Sequence, residues 1–158
     1  MRNFILLLLI LSLAFSVKSQ SLNLMGSWST SVPSSSILEA GNDYSMTLTS
    51  SLNQTLLDVS VPITNTSWRV DVHKQDLFWN ASLILWIHKT GDGVAELGSS
   101  ILPIGVTPYQ QVSNLGQLFF TGTKNHVNIP IQYEIQGLSV LIPSANYNMS
   151  VIYTLIAY

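Results

Sequence analysis

His73, His88 and His126 are the only histidines of the chain, and Asp71 precedes His73 by two residues. Positions two apart on a β-strand share a face, so Asp71 and His73, joined by His88 from a paired strand, carry the donor types of a zinc site. Such a site needs those strands in one particular register. No ligand-spacing motif sets that register, and the sequence therefore predicts no metal ligand. Asp92, between Gly91 and Gly93, has the form of a calcium-loop fragment, but the further carboxylates of such a loop are missing and a turn accounts for it. The eight acidic residues are scattered, so no pair suits general acid and base work. No serine lies in a nucleophile-elbow pattern, and no glycine-rich phosphate loop precedes a helix. These absences predict a protein that is not an enzyme and needs no cofactor.

Aromatic side chains offer a different chemistry, because flat rings stack on sugar faces. Trp28, Trp68, Trp79 and Trp86 are candidates. Trp68 and Trp86 lie within apolar strand patterns, which predicts that both are buried. Phe78 and Trp79 sit in a loop-like segment, Asp76 to Asn80, and with Tyr109 they are the ligand-contact candidates. Packing is the commoner role for such residues.

The elements that position these residues are strands. Trp68, Val70 and Val72 alternate with Arg69, Asp71 and His73, as one half-buried strand requires. Gln54 to Val61 alternates with Leu56 and Val59 flanked by polar residues. Leu83 to Ile87 is apolar without interruption and predicts a central strand covered on both faces. Thr90 to Gly93 supplies a turn, and Leu97 to Gln111 reads as irregular, punctuated by Pro103, Gly105 and Pro108. Leu118 to Thr121 is a short strand, and Asn125 to Asn128 a loop. Ile129 to Leu138 alternates again, with Pro130 at its start, and Asn148 to Tyr158 closes the chain as a long strand. The count and spacing predict an all-β sandwich of about seven or eight strands.

Three stretches near the C-terminus carry a family resemblance: Ile129-Pro130-Ile131-Gln132-Tyr133-Glu134-Ile135, Leu141 to Tyr147 with its Pro143 turn, and Val151 to Tyr158. This ending resembles that of bacterial spore-coat-U-like and fimbrial subunits, over about a fifth of the chain. The resemblance implies an immunoglobulin-like sandwich and assembly by strand donation, in which one subunit's extended segment completes the next subunit's sheet. Leu22, Leu24, Gly26 and Trp28 alternate with Asn23, Met25 and Ser27 and form the candidate donor. The same alternation also describes an ordinary first strand.

The N-terminus reads as an export signal. Arg2 precedes an apolar run from Phe4 to Phe15, and Val17-Lys18-Ser19 suits a cleavage site. Residues 1–19 are the expected signal peptide and 20–158 a single β-sandwich domain, with 20–36 as its possible donor segment and loop. The run is shorter than the ~18 residues of a membrane span, so none is expected after cleavage.

Arg2 and Lys18 fall in the leader, leaving four basic against eight acidic residues, and the charged fraction of the whole chain is only 9%. That excludes the basic patch of a nucleic-acid partner. There is no cysteine to staple the domain, which must rest on apolar burial. A surface so poor in charge suits packing into assemblies. The sequence thus predicts a secreted structural or adhesive protein at the cell surface, its partners being copies of itself or other surface proteins. A small carbohydrate-binding module, with glycans as partners, is the alternative. The sequons at Asn53, Asn65, Asn80 and Asn148 are about as many as this Ser- and Thr-rich composition yields by chance.

Overall fold

In the computed structural model of the chain, residues 19–33, 36, 43–44, 47–62 and 67–158 are described. Residues 1–18 of the leader, part of the Thr30–Ser36 loop and Asn65 of its sequon lie outside them. The alternation around Trp68 becomes β4 (Ser67–Phe78), in which Trp68, Val70 and Val72 are fully buried and the intervening residues are not. β4 pairs antiparallel with β11 (Asn148–Ala157) on one side and β9 (Gln117–Thr123) on the other, and β9 pairs with β7 (Ser100–Leu102). These four strands form sheet B.

Sheet A has seven strands among the described residues. Its order runs β1 (Ser21–Met25), β3 (Thr55–Ser60), β10 (His126–Gln136), β5 (Ile84–Lys89) and β8 (Gln110–Gln111), with β2 (Leu48–Thr49) and β6 (Val94–Ala95) also paired to β10. The two antiparallel sheets pack face to face as an all-β sandwich, and no helix occurs among the described residues beyond a single helical turn residue at Ser36. Seven of the eleven strands among the described residues have five or more residues. The other four are two- or three-residue ladders that hydrophobic alternation is too short to reveal.

The core lies between the sheets. Leu57 and Val59 of β3, Leu85 and Ile87 of β5, and Ile129 and Ile131 of β10 meet Trp68, Val70, Phe120 and Tyr153 from sheet B. Phe119 and Phe120 are both buried although they are consecutive, because the register between β4 and β9 shifts there and Phe119 is the extra residue. Of the segment expected to be a loop, Asn125 to Asn128, His126 to Asn128 instead open β10. A bulge between His126 and Ile129, with Asn128 at a φ of 57°, lets the strand continue. Pro130 is therefore inside β10 and not at its start. It stands opposite Thr90, where β5 has just ended, so its missing N–H leaves only the reciprocal bond unmade.

Two expectations are corrected here. Leu85 and Ile87 face the core, so Trp86 between them points to the outer face of sheet A and is half-buried, not buried. His73 lies on β4 in sheet B and His88 on β5 in sheet A; those strands never pair, and the zinc arrangement weighed for Asp71, His73 and His88 does not form.

Candidate functional site

The sandwich is closed unevenly. At one side the edges are the very short β7 and β8, while at the other they are β1 and β11, which approach each other across the gap between the sheets. β11 is ten residues long, without a charge or a proline: Asn148-Met149-Ser150-Val151-Ile152-Tyr153-Thr154-Leu155-Ile156-Ala157. Natural edge strands are normally short, charged, bulged or covered, because an open ladder templates another strand.

The phase of that ladder follows from one bond. Tyr158 N–H donates to Ser67 O at 2.9 Å, so Tyr158 and its alternates Ile156, Thr154, Ile152 and Ser150 bond toward β4. Ala157, Leu155, Tyr153, Val151 and Met149 then turn their N–H and C=O groups to the opposite side. No described strand pairs with them there. Their side chains meanwhile pack against or into the core.

A groove of about 1160 Å³ runs beside this edge. Leu24 and Trp28 wall it from the sheet A side, Met149 and Val151 from β11, and Tyr133 and Tyr153 lie at its floor. Tyr133 Oη donates to Thr55 Oγ1 at 2.8 Å and lies 3.0 Å from Tyr153 Oη, tying β10, β3 and β11 together. Burial, and then the neighbouring Tyr133, push the Tyr153 hydroxyl well above the ordinary phenol value, and burial likewise raises Tyr133. Both are neutral hydrogen-bonding groups, and neither is a base.

The strand-donor candidates are held unequally. Leu22 and Leu24 face inward on β1, opposite Val59 and Leu57 of β3 in the same chain. Leu22 packs against the core but Leu24 is 43% exposed. Gly26 lies just past the strand at a φ of 125°, with Gln54 O where a Cβ would stand. Trp28 stacks on Tyr133, with ring centroids 6.2 Å apart. β1 is thus a marginally packed edge strand running into the groove.

The ligand-contact candidates do not form one surface. Phe78 stacks exposed on Tyr147. Trp79 donates its indole N–H to Leu83 O and lines the groove. Tyr109 is stacked on His88, near the other end of β5. Sequence reasoning grouped the three by type. The long C-terminal strand from Asn148 to Tyr158 already read in the sequence as an open edge that a neighbour's strand could complete, but which of its two edges is free did not, because pairing partners are not visible in one strand. Among the described residues, no three metal-ligating side chains cluster. No protein-family model, curated protein or solved structure matches the chain.

Proposed function

We propose that the protein is a secreted structural or adhesive subunit that associates with copies of itself by adding a β-strand at the β11 edge. The observation that carries this reading is the uncharged ten-residue β11, paired to β4 on one side, whose outer edge from Met149 to Ala157 meets no strand among the described residues and lies beside an inter-sheet groove. An incoming strand gains main-chain hydrogen bonds from Met149 to Ala157, while its alternate side chains enter the groove. The Leu22–Trp28 segment of a second copy, with its own alternation of apolar residues, is the candidate occupant. The charge-poor composition supports the same reading, since few charges need desolvating on contact. The resemblance of the C-terminal strands to fimbrial subunits is in keeping with it.

Val151→Pro tests the edge directly. It removes an outward N–H from the free ladder and leaves the bonds to β4 intact. Sedimentation and electron microscopy of the wild type are expected to show oligomers or filaments, and Val151→Pro and Thr154→Lys are expected to shift the population to monomer while keeping a cooperative unfolding transition. A strictly monomeric wild type, or undiminished assembly of both variants, rules the reading out.

A further inference from the structure

Trp86 is a large aromatic in the middle of a central strand, yet it faces out of the sandwich. Across the ladder it is paired with Gln111 of β8 on one side and Glu134 of β10 on the other, and residues paired in register share a face. Glu134 Oε1 accepts a hydrogen bond from Gln136 Nε2 at 2.6 Å. One step along the same face, His88 pairs with Gln132, and Tyr109 stacks on the imidazole with centroids 4.0 Å apart. The base under Tyr109 is rigid: His88 Nδ1 meets Thr107 O at 3.0 Å, its Nε2 meets Gln132 Oε1 at 2.8 Å, and Gln132 Nε2 donates to Ser50 O at 2.7 Å. Burial raises the Tyr109 phenol, and the charge of Glu134 adds to that. The Trp86 indole N–H itself is buried and has no acceptor among the described residues, so the ring and not its N–H is what this face can offer.

We propose that this outer face of sheet A binds a neutral glycan, with Trp86 and Tyr109 as its aromatic floor and Gln111, Glu134 and Gln136 as the groups that read hydroxyls. A sugar ring offers an apolar C–H face to an indole and a rim of hydroxyls to amides and carboxylates, which is the mixture arranged here. Neighbouring positions on one face are roughly 7 Å apart along a strand, so one chain of sugars lies over both aromatics. The outward residues of β5, β8 and β10 include no Lys or Arg, since Lys89 turns inward to bond Asp92 and Gly105. An anionic ligand finds no counter-charge on them. Trp86, Gln111, Glu134 and Gln136 stand on strands, and Tyr109, just before β8, is positioned by His88 and Gln132, so the face is formed before a ligand arrives.

Native gels containing xylan, laminarin, a mannan or hydroxyethylcellulose test this, with thermal unfolding followed in parallel. At least one polymer is expected to slow the wild type several-fold and to change its tryptophan fluorescence. Trp86→Ala and Glu134→Gln are expected to abolish the retardation, and Gln111→Ala to weaken it. Gln111 is exposed and Glu134→Gln is nearly isosteric, so these two variants keep the wild-type melting temperature and decide the matter even if Trp86→Ala unfolds. The monomeric Val151→Pro form is expected to be slowed like the wild type, which separates this face from assembly. Passage of the wild type through all four polymers without retardation, or full retardation of both Gln111→Ala and Glu134→Gln, overturns the proposal.

Discussion

Trp68 shows how much one side chain can hold at the junction of the sheets. It is fully buried, its indole N–H donates to Lys124 O at 2.6 Å, and its ring meets Phe120 and His126 edge-on. Its space exists because position 122 is glycine: a Cβ there would lie 2.3 Å from the Trp68 ring and 2.9 Å from Ser100 O. Trp68→Ala is expected to cost ~3–5 kcal/mol through the cavity left behind. Gly122→Ala is expected to cost ~1–3 kcal/mol for the opposite reason, overpacking against a ring and a backbone that cannot both move. Urea denaturation of the two variants checks both, and an unchanged midpoint for Gly122→Ala would mean that the indole has room to shift. Trp68 was legible from alternation with Arg69 and Asp71. Trp86 was not, because the unbroken run from Leu83 to Ile87 carries no periodicity from which a face can be read. The polar partners that make its outer face are contributed by β8 and β10, far away in sequence.

At the scale of elements, the turn after β5 is held by an ion pair that a strand pattern does not announce. Lys89 points between the sheets with its side chain fully buried, and its ammonium bonds the Asp92 carboxylate and Gly105 O. Gly105 N–H returns a bond to both Asp92 oxygens at 2.9 Å, so the β5–β6 turn and the loop after β7 are clamped together. The glycines around Asp92 made the turn legible in the sequence. The clamp was not, since it joins residues thirteen apart through a lysine read only as the end of a strand. Burial alone would raise the Asp92 carboxyl, but Lys89, Gly105 and the nearby His126 outweigh it, and the group sits below its usual value of 3.8. A carboxyl lowered by folding adds stability that is present above the unfolded value and is lost as pH falls through the folded one. Asp92→Asn is therefore expected to destabilise the protein by about 3 kcal/mol at neutral pH, because a buried ammonium loses its counter-ion. The gap between variant and wild type is expected to narrow on acidification below pH 3.8. Melting temperatures recorded across that range check the sign: a gap that widens in acid would mean that the carboxylate is not what the lysine needs.

For the whole molecule, the question is what an open side of a sandwich is for. The sides bounded by β7 and β8 end in short ladders, whereas β1 and β11 leave a groove between them, and the outer edge of β11 from Met149 to Ala157 has no partner strand among the described residues. The alternation of β11 was plain in the sequence. That its outer edge is free depends on where β1 goes, and β1 goes to β3 in its own chain. Deleting Gln20 to Ser27 separates the two roles this segment can have. If it reaches the β11 edge of a neighbour, the shortened protein is expected to stay folded and to lose assembly, and adding the segment back as a synthetic peptide is expected to cap the edge and keep wild-type protein monomeric. Leu22→Asn and Leu24→Asn in that peptide are expected to weaken capping, since polar side chains gain nothing from an apolar groove. If the segment serves only its own β3, deletion lowers stability, exposes the Leu57–Val59 edge and leaves association at β11 in place. Light scattering on the deleted protein, read beside its unfolding curve, distinguishes these outcomes. Loss of folding with assembly unchanged would remove Leu22–Trp28 as the donor while leaving the β11 edge as the surface a partner strand must cover.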